Sequence, residues 1–271
     1  EERLLAQAEY MASQGVKELI LVAQETTVYG TDLYGKKTLH ILLKKLCQIK
    51  GIRWIRVLYC YPEEIYDELI QVMKEEKKIC NYLDLPIQHA SDRILKRMGR
   101  RTTRKQLEDI IAKLRREIPD IVLRTSLITG FPGETQEDHE ELMEFVDEME
   151  FDRLGVFTYS PEEGTPAETM EGQVPEEVKE ERRDELMSLQ QEISLEKGDE
   201  RIGQELLVMI EGKVSGESAY IARTYADAPK VDGYIFVQTG ELLVTGDFAR
   251  VRVTGALEYD LIGEVYDESA Q

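Results

Sequence analysis

Five short segments gather the polar, aromatic and glycine residues from which a binding site can be built. They are Ala23-Gln24-Glu25-Thr26-Thr27, Tyr59-Cys60-Tyr61-Pro62, Leu85-Pro86-Ile87-Gln88-His89-Ala90-Ser91, Thr129-Gly130-Phe131-Pro132-Gly133-Glu134 and the run from Tyr159 to Thr165. Carboxamide, carboxylate and hydroxyl groups mixed with aromatics and glycine suit a pocket for an organic cofactor. Each segment also has a plainer use. Gln24, Glu25 and Thr26 serve equally as caps, Gln88 and His89 as a satisfied loop pair, and Gly130 to Gly133 as a tight turn. Arg124, next to Thr125 and Ser126 in an apolar run, must be paired, either to a carboxylate of the fold or to one on a ligand. Cys47, Cys60 and Cys80 are 13 and 20 residues apart and make no compact cluster site. Burial is the default for Cys47 and Cys80, whereas Cys60 stands at a strand end. There is no phosphate-binding loop, no GxGxxG, no zinc-protease motif and no nucleophile elbow.

These segments recur because each follows a short apolar, β-branched run: Glu18–Ala23, Ile52–Tyr59, Tyr82–Pro86, Val122–Ile128 and Arg153–Tyr159. Between the runs, apolar residues recur at three-to-four spacing, from Leu4 to Met11, Leu39 to Leu46, Ile65 to Met73, Leu107 to Leu114 and Leu142 to Met149. Such alternation predicts βα units and a parallel sheet whose ligands bind where the strands end. Five strands, or six with one more upstream, fit an open barrel better than a closed eight. Thr135 with Asp138 three residues on predicts a helix cap. Pro175 starts a charged helix to about Glu200, with a thin apolar stripe at Val178, Leu186, Leu189, Ile193 and Leu195. Five further β-rich runs between 206 and 265 predict a small antiparallel, OB-like barrel. The expected division is a barrel over 1–170, a connecting helix over 171–200 and a terminal domain over 201–271.

Acids outnumber bases 54 to 34 over 271 residues, a net charge of −20, which disfavours a general nucleic-acid coat. The segment from 201 onward holds six bases against twelve acids. One stretch departs from this trend: Lys96 to Lys105 holds six bases and no acid. It reads either as a solvated face balanced by neighbouring acids or as a contact for rRNA, an adjoining domain or an acidic substrate. No apolar run reaches the roughly 18–20 residues of a membrane span. Sparse cysteine and the absence of a leader predict a cytoplasmic protein. The opening Glu1-Glu2-Arg3, already in a helical pattern, predicts a piece of a longer chain.

Three stretches carry a family resemblance. They are Leu85 to Ser91 with Ile94-Leu95-Lys96-Arg97-Met98-Gly99-Arg100, Gly130-Phe131-Pro132-Gly133-Glu134-Thr135, and Tyr159-Ser160-Pro161-Glu162-Glu163-Gly164-Thr165-Pro166-Ala167. In this order they resemble the methylthiotransferase branch of the radical S-adenosylmethionine enzymes, and 201–268 resembles the TRAM domain that ends them. Within the branch, Gln24-Glu25-Thr26-Thr27, the Asp32-Leu33-Tyr34-Gly35 segment and Arg124-Thr125-Ser126 look most like the enzymes that modify a ribosomal-protein aspartate. The relatives acting on tRNA tend to carry Gly-Gln-Asn at the first of these. They usually have Arg-Pro where Glu162-Glu163 stands.

The resemblance implies S-adenosylmethionine at the open rim. Gln24 and Glu25, with Thr26, match the segment that holds the methionyl amino group, and Gln88 and Ser91 the region near the ribose. Arg124 and Ser126 would meet the carboxylate or ribose; Phe131 and the backbone near Phe157 would wall the adenine. The family also uses a [4Fe–4S] cluster held by a Cys-x3-Cys-x2-Cys motif, and a second cluster on a further N-terminal domain. This sequence contains no such triplet, so those ligands are expected upstream of Glu1 and this chain is expected to be inactive alone. In the family, a 5′-deoxyadenosyl radical takes hydrogen from the aspartate β-carbon before sulfur and methyl are added. The implied partner is a small-subunit ribosomal protein, docked through the acidic terminal domain, with a local rRNA contact through 96–105. The alternatives are a tRNA adenosine methylthiotransferase and a non-catalytic binding scaffold.

Overall fold

The computed structural model describes residues 1–267. Its first half is a parallel sheet in the order β1 (Glu18–Leu21), β2 (Trp54–Val57), β3 (Ile79–Asp84), β4 (Val122–Thr129) and β5 (Arg153–Thr158). Side chains alternate across each strand. Leu19, Ile55, Val57, Leu83, Leu123, Leu127 and Val156 therefore face one layer of helices and form the main core with them. That layer contains α1 (Glu2–Ser13), a short α2 (Thr31–Tyr34), α3 (Leu39–Cys47), α4 (Asp67–Glu75), α5 (Asp92–Arg97), α6 (Arg104–Glu117), α7 (Gln136–Met149) and α8 (Glu176–Asp199). Helices on the outside and an open concave face inside make this an incomplete β/α barrel.

The expected strands form with shifted ends. β1 stops at Leu21 because the Thr26 hydroxyl folds back, accepting from the Ala23 amide (3.1 Å) and donating to the Leu58 carbonyl (2.6 Å). β3 begins three residues before Tyr82. Its early residue Asn81 is polar, its amide reaching the Asp120 carboxylate (2.8 Å), and that hid the start of the strand from apolar patterning. Glu63 and Glu64 lie in a 3-10 turn, with α4 beginning only at Asp67. Thr135 caps α7, and Asp138 returns a bond to its backbone. The stripe expected on α8 is only partly the buried face. Leu186 and Ile193 are buried with Lys179, Arg182, Gln190 and Ser194, whereas Leu195 is exposed.

The second unit is a closed five-stranded barrel: β6 (Glu205–Lys213), β7 (Ala219–Arg223), β8 (Ile235–Gln238), β9 (Phe248–Ala256) and β10 (Leu261–Asp267), in the ring order β10-β8-β7-β6-β9. It is mixed, not wholly antiparallel as expected, because β10 runs parallel to β8. The reason is geometric: strands cannot alternate in direction around a closed ring of five. The strand order is that of an OB-like Greek key.

The barrel plugs the concave face near the strand starts. Trp54, Cys80, Tyr82 and Val122 from the sheet share a core with Met209, Ala226, Ala228 and Phe248. Trp54 meets Phe248 edge-to-face at 5.0 Å. Around this contact lies a buried ionic network. Glu18 accepts from Arg56 Nε (2.9 Å) and from Arg223 of the barrel (2.6 Å), and Arg223 also reaches Glu211 (2.7 Å). The Tyr82 hydroxyl donates to Asp232 (2.7 Å), and Arg153 pairs with Asp227.

Candidate functional site

With the strand starts covered, the strand-end rim stays open. A cavity of about 480 Å³ lies there between the ends of β3, β4 and β5. Phe131 and Tyr159 meet edge-to-face at 5.2 Å on one side, Met98 and Ile128 add apolar surface, and Phe157 forms a half-exposed wall. Gln88 lines it from the β3 end and Tyr61 from the β2 end. Arg100 lies over the Tyr61 ring at 4.8 Å and donates to the Pro86 carbonyl, which sets one cation at the cavity. The Tyr159 hydroxyl is buried and has no partner among the described residues. Burial, with Glu168 and Glu162 nearby, pushes this phenol up, so it stays a neutral donor at physiological pH.

The rim backbone is held in uncommon conformations. Gln88 has φ +72° and Tyr59 φ +56°, in the left-handed region that non-glycine residues seldom occupy. Gln88 is fixed by bonds from its amide to the Ser126 carbonyl (3.0 Å) and from the Ile128 amide to its own carbonyl (2.8 Å). Such conformations persist where surrounding structure imposes them, and they gather at ligand sites.

The nine residues singled out from sequence do not converge. Gln88, Phe131 and Phe157 line the rim cavity, and Ser126 lies on the same face of β4 as Ile128. Glu25 is engaged: one oxygen accepts from the Thr27 amide (2.9 Å) and hydroxyl, the other from the Tyr61 amide (2.7 Å). Thr26 clasps the ends of β1 and β2, so of this trio only Gln24 is exposed. Ser91 is buried and donates to Asp138 of α7 (2.8 Å). Arg124 pairs with Asp84 (2.7 Å) and with Asp232 of the barrel (3.3 Å), so carboxylates of the fold already engage it. His89 is a buried structural residue; its Nδ1 accepts from the Ser91 amide (2.9 Å). Sequence reasoning left Met98, Arg100, Ile128 and Tyr159 off the site, although Tyr159 and Ser160 stand in a strand-end segment.

The Gly130-Phe131-Pro132-Gly133 turn is explained by protein contacts. Gly130 has φ +71°, and a Cβ there would lie 2.2 Å from Lys179 Cγ of α8. Glu134 closes the turn, accepting from the Gly130 amide (2.8 Å) and pairing with Arg182 (2.8 Å). The turn thus fixes Phe131 at the cavity.

Of the six bases in 96–105, four are engaged. Arg97 donates to Pro132, Arg100 to Pro86, Arg104 reaches Glu108, Glu144 and Glu148, and Lys105 reaches Asp109. Lys96 and Arg101 remain exposed. The three cysteines are buried. Burial pushes the Cys47 thiol up to about 12 and the Cys80 thiol to about 11, and raises the Cys60 thiol well above its ordinary value. Protonated thiols are poor metal ligands. No group of three His, Cys, Asp or Glu able to hold a metal occurs among the described residues, so these residues do not fit an iron–sulfur cluster. No helix among them is long and apolar enough to cross a membrane.

The radical SAM superfamily profile matches residues 1–146, and the TRAM domain profile matches 202–265. The ribosomal protein uS12 methylthiotransferase RimO of Lachnoclostridium phytofermentans is 63% identical over 262 residues, covering 97% of this chain and 60% of that protein. Its namesake from Clostridium botulinum is 54% identical over 267 residues (98% and 60%), and that from Clostridium perfringens 53% over 270 residues (100% and 60%). The chain therefore spans about 60% of the length of these relatives. A solved radical S-adenosylmethionine methyltransferase, TsrM from Kitasatospora setae, aligns over 57% of this chain and 30% of its own, at 16% identity and TM-score 0.45. With the superfamily profile matching more than half of its length, the chain belongs to the radical SAM superfamily and carries a TRAM domain behind its sheet.

Proposed function

We propose that this chain is the cofactor-binding sheet and docking barrel of a methylthiotransferase that modifies an aspartate of a small-subunit ribosomal protein. One observation carries the reading: 63% identity to a uS12 methylthiotransferase across 97% of the chain, sheet and barrel alike. The rim cavity supports it. Phe131, Ile128, Met98 and Phe157 offer a purine an apolar slot. Arg100 at the same cavity suits a carboxylate, and exposed Gln24 is the member of its segment left to reach an amino group. When bound, S-adenosylmethionine supplies the hydrogen-abstraction chemistry and the methyl group that side chains lack. The superfamily's iron–sulfur ligands must then come from outside the described residues, and this chain alone leaves its substrate unmodified.

The domain division at 1–170, 171–200 and 201–271 is part of this reading; α8 ends at Asp199 and β6 begins at Glu205. Charge favours a protein partner. The barrel segment holds twelve acids to six bases; Arg223 is buried and Arg252 is paired with Glu205, so no basic stripe for RNA is supported. A basic ribosomal protein is the better electrostatic match.

The test uses a chain extended to its relatives' length, reconstituted with iron and sulfide without oxygen. It receives S-adenosylmethionine, reductant and a sulfide source, with purified uS12 or bulk tRNA. Mass spectrometry should find a methylthio group on uS12. Its appearance on tRNA alone overturns the substrate class, and its absence from both favours a binding scaffold.

A further inference from the structure

A second opening lies beside the rim cavity, between β5 and the barrel. This cleft encloses about 590 Å³ and is walled by Gly155 and Phe157 of the sheet, Lys230 to Tyr234 of the β7–β8 loop, and Tyr259. Phe157 lines both this cleft and the rim cavity, so one side chain separates them. Three large apolar groups of the cleft stand open: Phe157 is 58% exposed, Val231 56% and Tyr259 39%. β5 is the last strand of its sheet and has no strand partner on its outer side among the described residues.

Most of the cleft's charges are already engaged. Arg124 is held by Asp84 and Asp232, Arg153 by Asp227, and Asp260 accepts from the Tyr234 amide (2.7 Å). Lys230 alone among the cleft's charged groups has no partner among the described residues. Its backbone, at φ +63°, is held in the left-handed region at the mouth.

We propose that this cleft binds an extended segment of the polypeptide substrate and leads it past Phe157 to the rim cavity. The segment would place apolar side chains on Val231, Tyr259 and Phe157, and a carboxylate against Lys230. The proposal rests on the reading that the enzyme modifies a ribosomal protein. Two observations single out a polypeptide. The open apolar surface adjoins the rim cavity across the Phe157 side chain alone, and a single free ammonium is too little for a phosphate backbone.

The experiment measures uS12 and S-adenosylmethionine binding separately, on the full chain and on Val231→Glu, Lys230→Glu and a remote control, Tyr10→Glu, on α1. Val231→Glu and Lys230→Glu should each weaken uS12 binding about tenfold, with S-adenosylmethionine affinity and the unfolding midpoint unchanged and Tyr10→Glu silent. Unchanged uS12 affinity in both cleft variants overturns the cleft and leaves the functional reading standing. Failure of the unmodified chain to bind uS12 overturns the reading and the cleft with it. Tight tRNA binding that Lys230→Glu abolishes overturns the polypeptide assignment.

Discussion

Glu18→Gln should loosen the barrel from the sheet by an amount the ionic network defines. The Glu18 side chain is 6% exposed and serves two buried guanidiniums, Arg56 at 2.9 Å and Arg223 at 2.6 Å. Arg223 would keep Glu211 (2.7 Å) and the Asp227 carbonyl (2.8 Å). Arg56 would keep only the Tyr225 carbonyl (2.7 Å) and the Tyr82 ring, becoming a buried cation with no carboxylate. Removing one partner of a buried pair costs roughly 3–5 kcal/mol; with an amide oxygen still in place, the lower end, about 3 kcal/mol, applies. For a chain of this size that is roughly 6–12 °C in midpoint. The single tryptophan, Trp54, meets Phe248 edge-to-face inside this interface, so its fluorescence reports the contact directly. In urea, the unmodified protein should lose tryptophan signal and far-ultraviolet ellipticity together; in Glu18→Gln the tryptophan transition should come first. Pairing it with Arg56→Met should restore most of the loss, because the orphaned charge goes too. A loss below about 1 kcal/mol, or no change in the order of the transitions, would refute the view that this network clamps the two units.

Three further outcomes follow. Gly130→Ala forces a Cβ into Lys179 at a left-handed position; it should cost about 2–3 kcal/mol and weaken S-adenosylmethionine binding, measured by denaturation and calorimetry. Burial opposes the Asp138 charge, but bonds from Arg93, the Thr135 backbone and Ser91 outweigh it and lower its pKa to about 2. The stability it contributes is complete above its unfolded pKa of about 3.9 and is lost as pH falls toward 2, on the order of 1 kcal/mol after allowing for half-exposed Arg93. Asp138→Asn should be less stable at neutral pH and show a flatter acid limb in urea titrations from pH 6 down to about 2. Cys47, Cys60 and Cys80, buried and with raised thiol pKa values, should resist a disulfide reagent at about pH 8 in the native protein and react together after denaturation. Rapid native labelling of any of them would show that its burial is wrong.

The sheet was legible because a buried strand and its covering helices differ in period, and both patterns run cleanly through 1–160. The small barrel was legible as a strand count, but the direction of β10 was not, since pairing sense leaves no mark on a short run. The site was harder. Phe131 and Gln88 were found because they follow strands, and Phe157, within β5 itself, through the family resemblance. Glu25, Thr26 and Ser91 follow strands too, yet their polar groups are consumed by Tyr61, Leu58 and Asp138, partners remote in sequence. Arg124 posed a choice that sequence left open, and in the structure Asp84 on the neighbouring strand engages it. Arg56 in an apolar run carried the same signal of a buried pair and was passed over. The basic run at 96–105 kept two readings open for a related reason: the acids that pair with Arg104 on α7 lie some 40 residues away.

The most direct test of the central claim is to locate the nucleoside. An azido-adenine analogue of S-adenosylmethionine is irradiated with the chain and the labelled peptide identified by mass spectrometry. Labelling within Gly130–Glu134 or Phe157–Ser160 is the predicted result. The 540 Å³ groove between α1 and β1, lined by Leu4, Met11 and Ile20, is the competing cavity, and labelling there instead would contradict the assignment of the rim as the cofactor site.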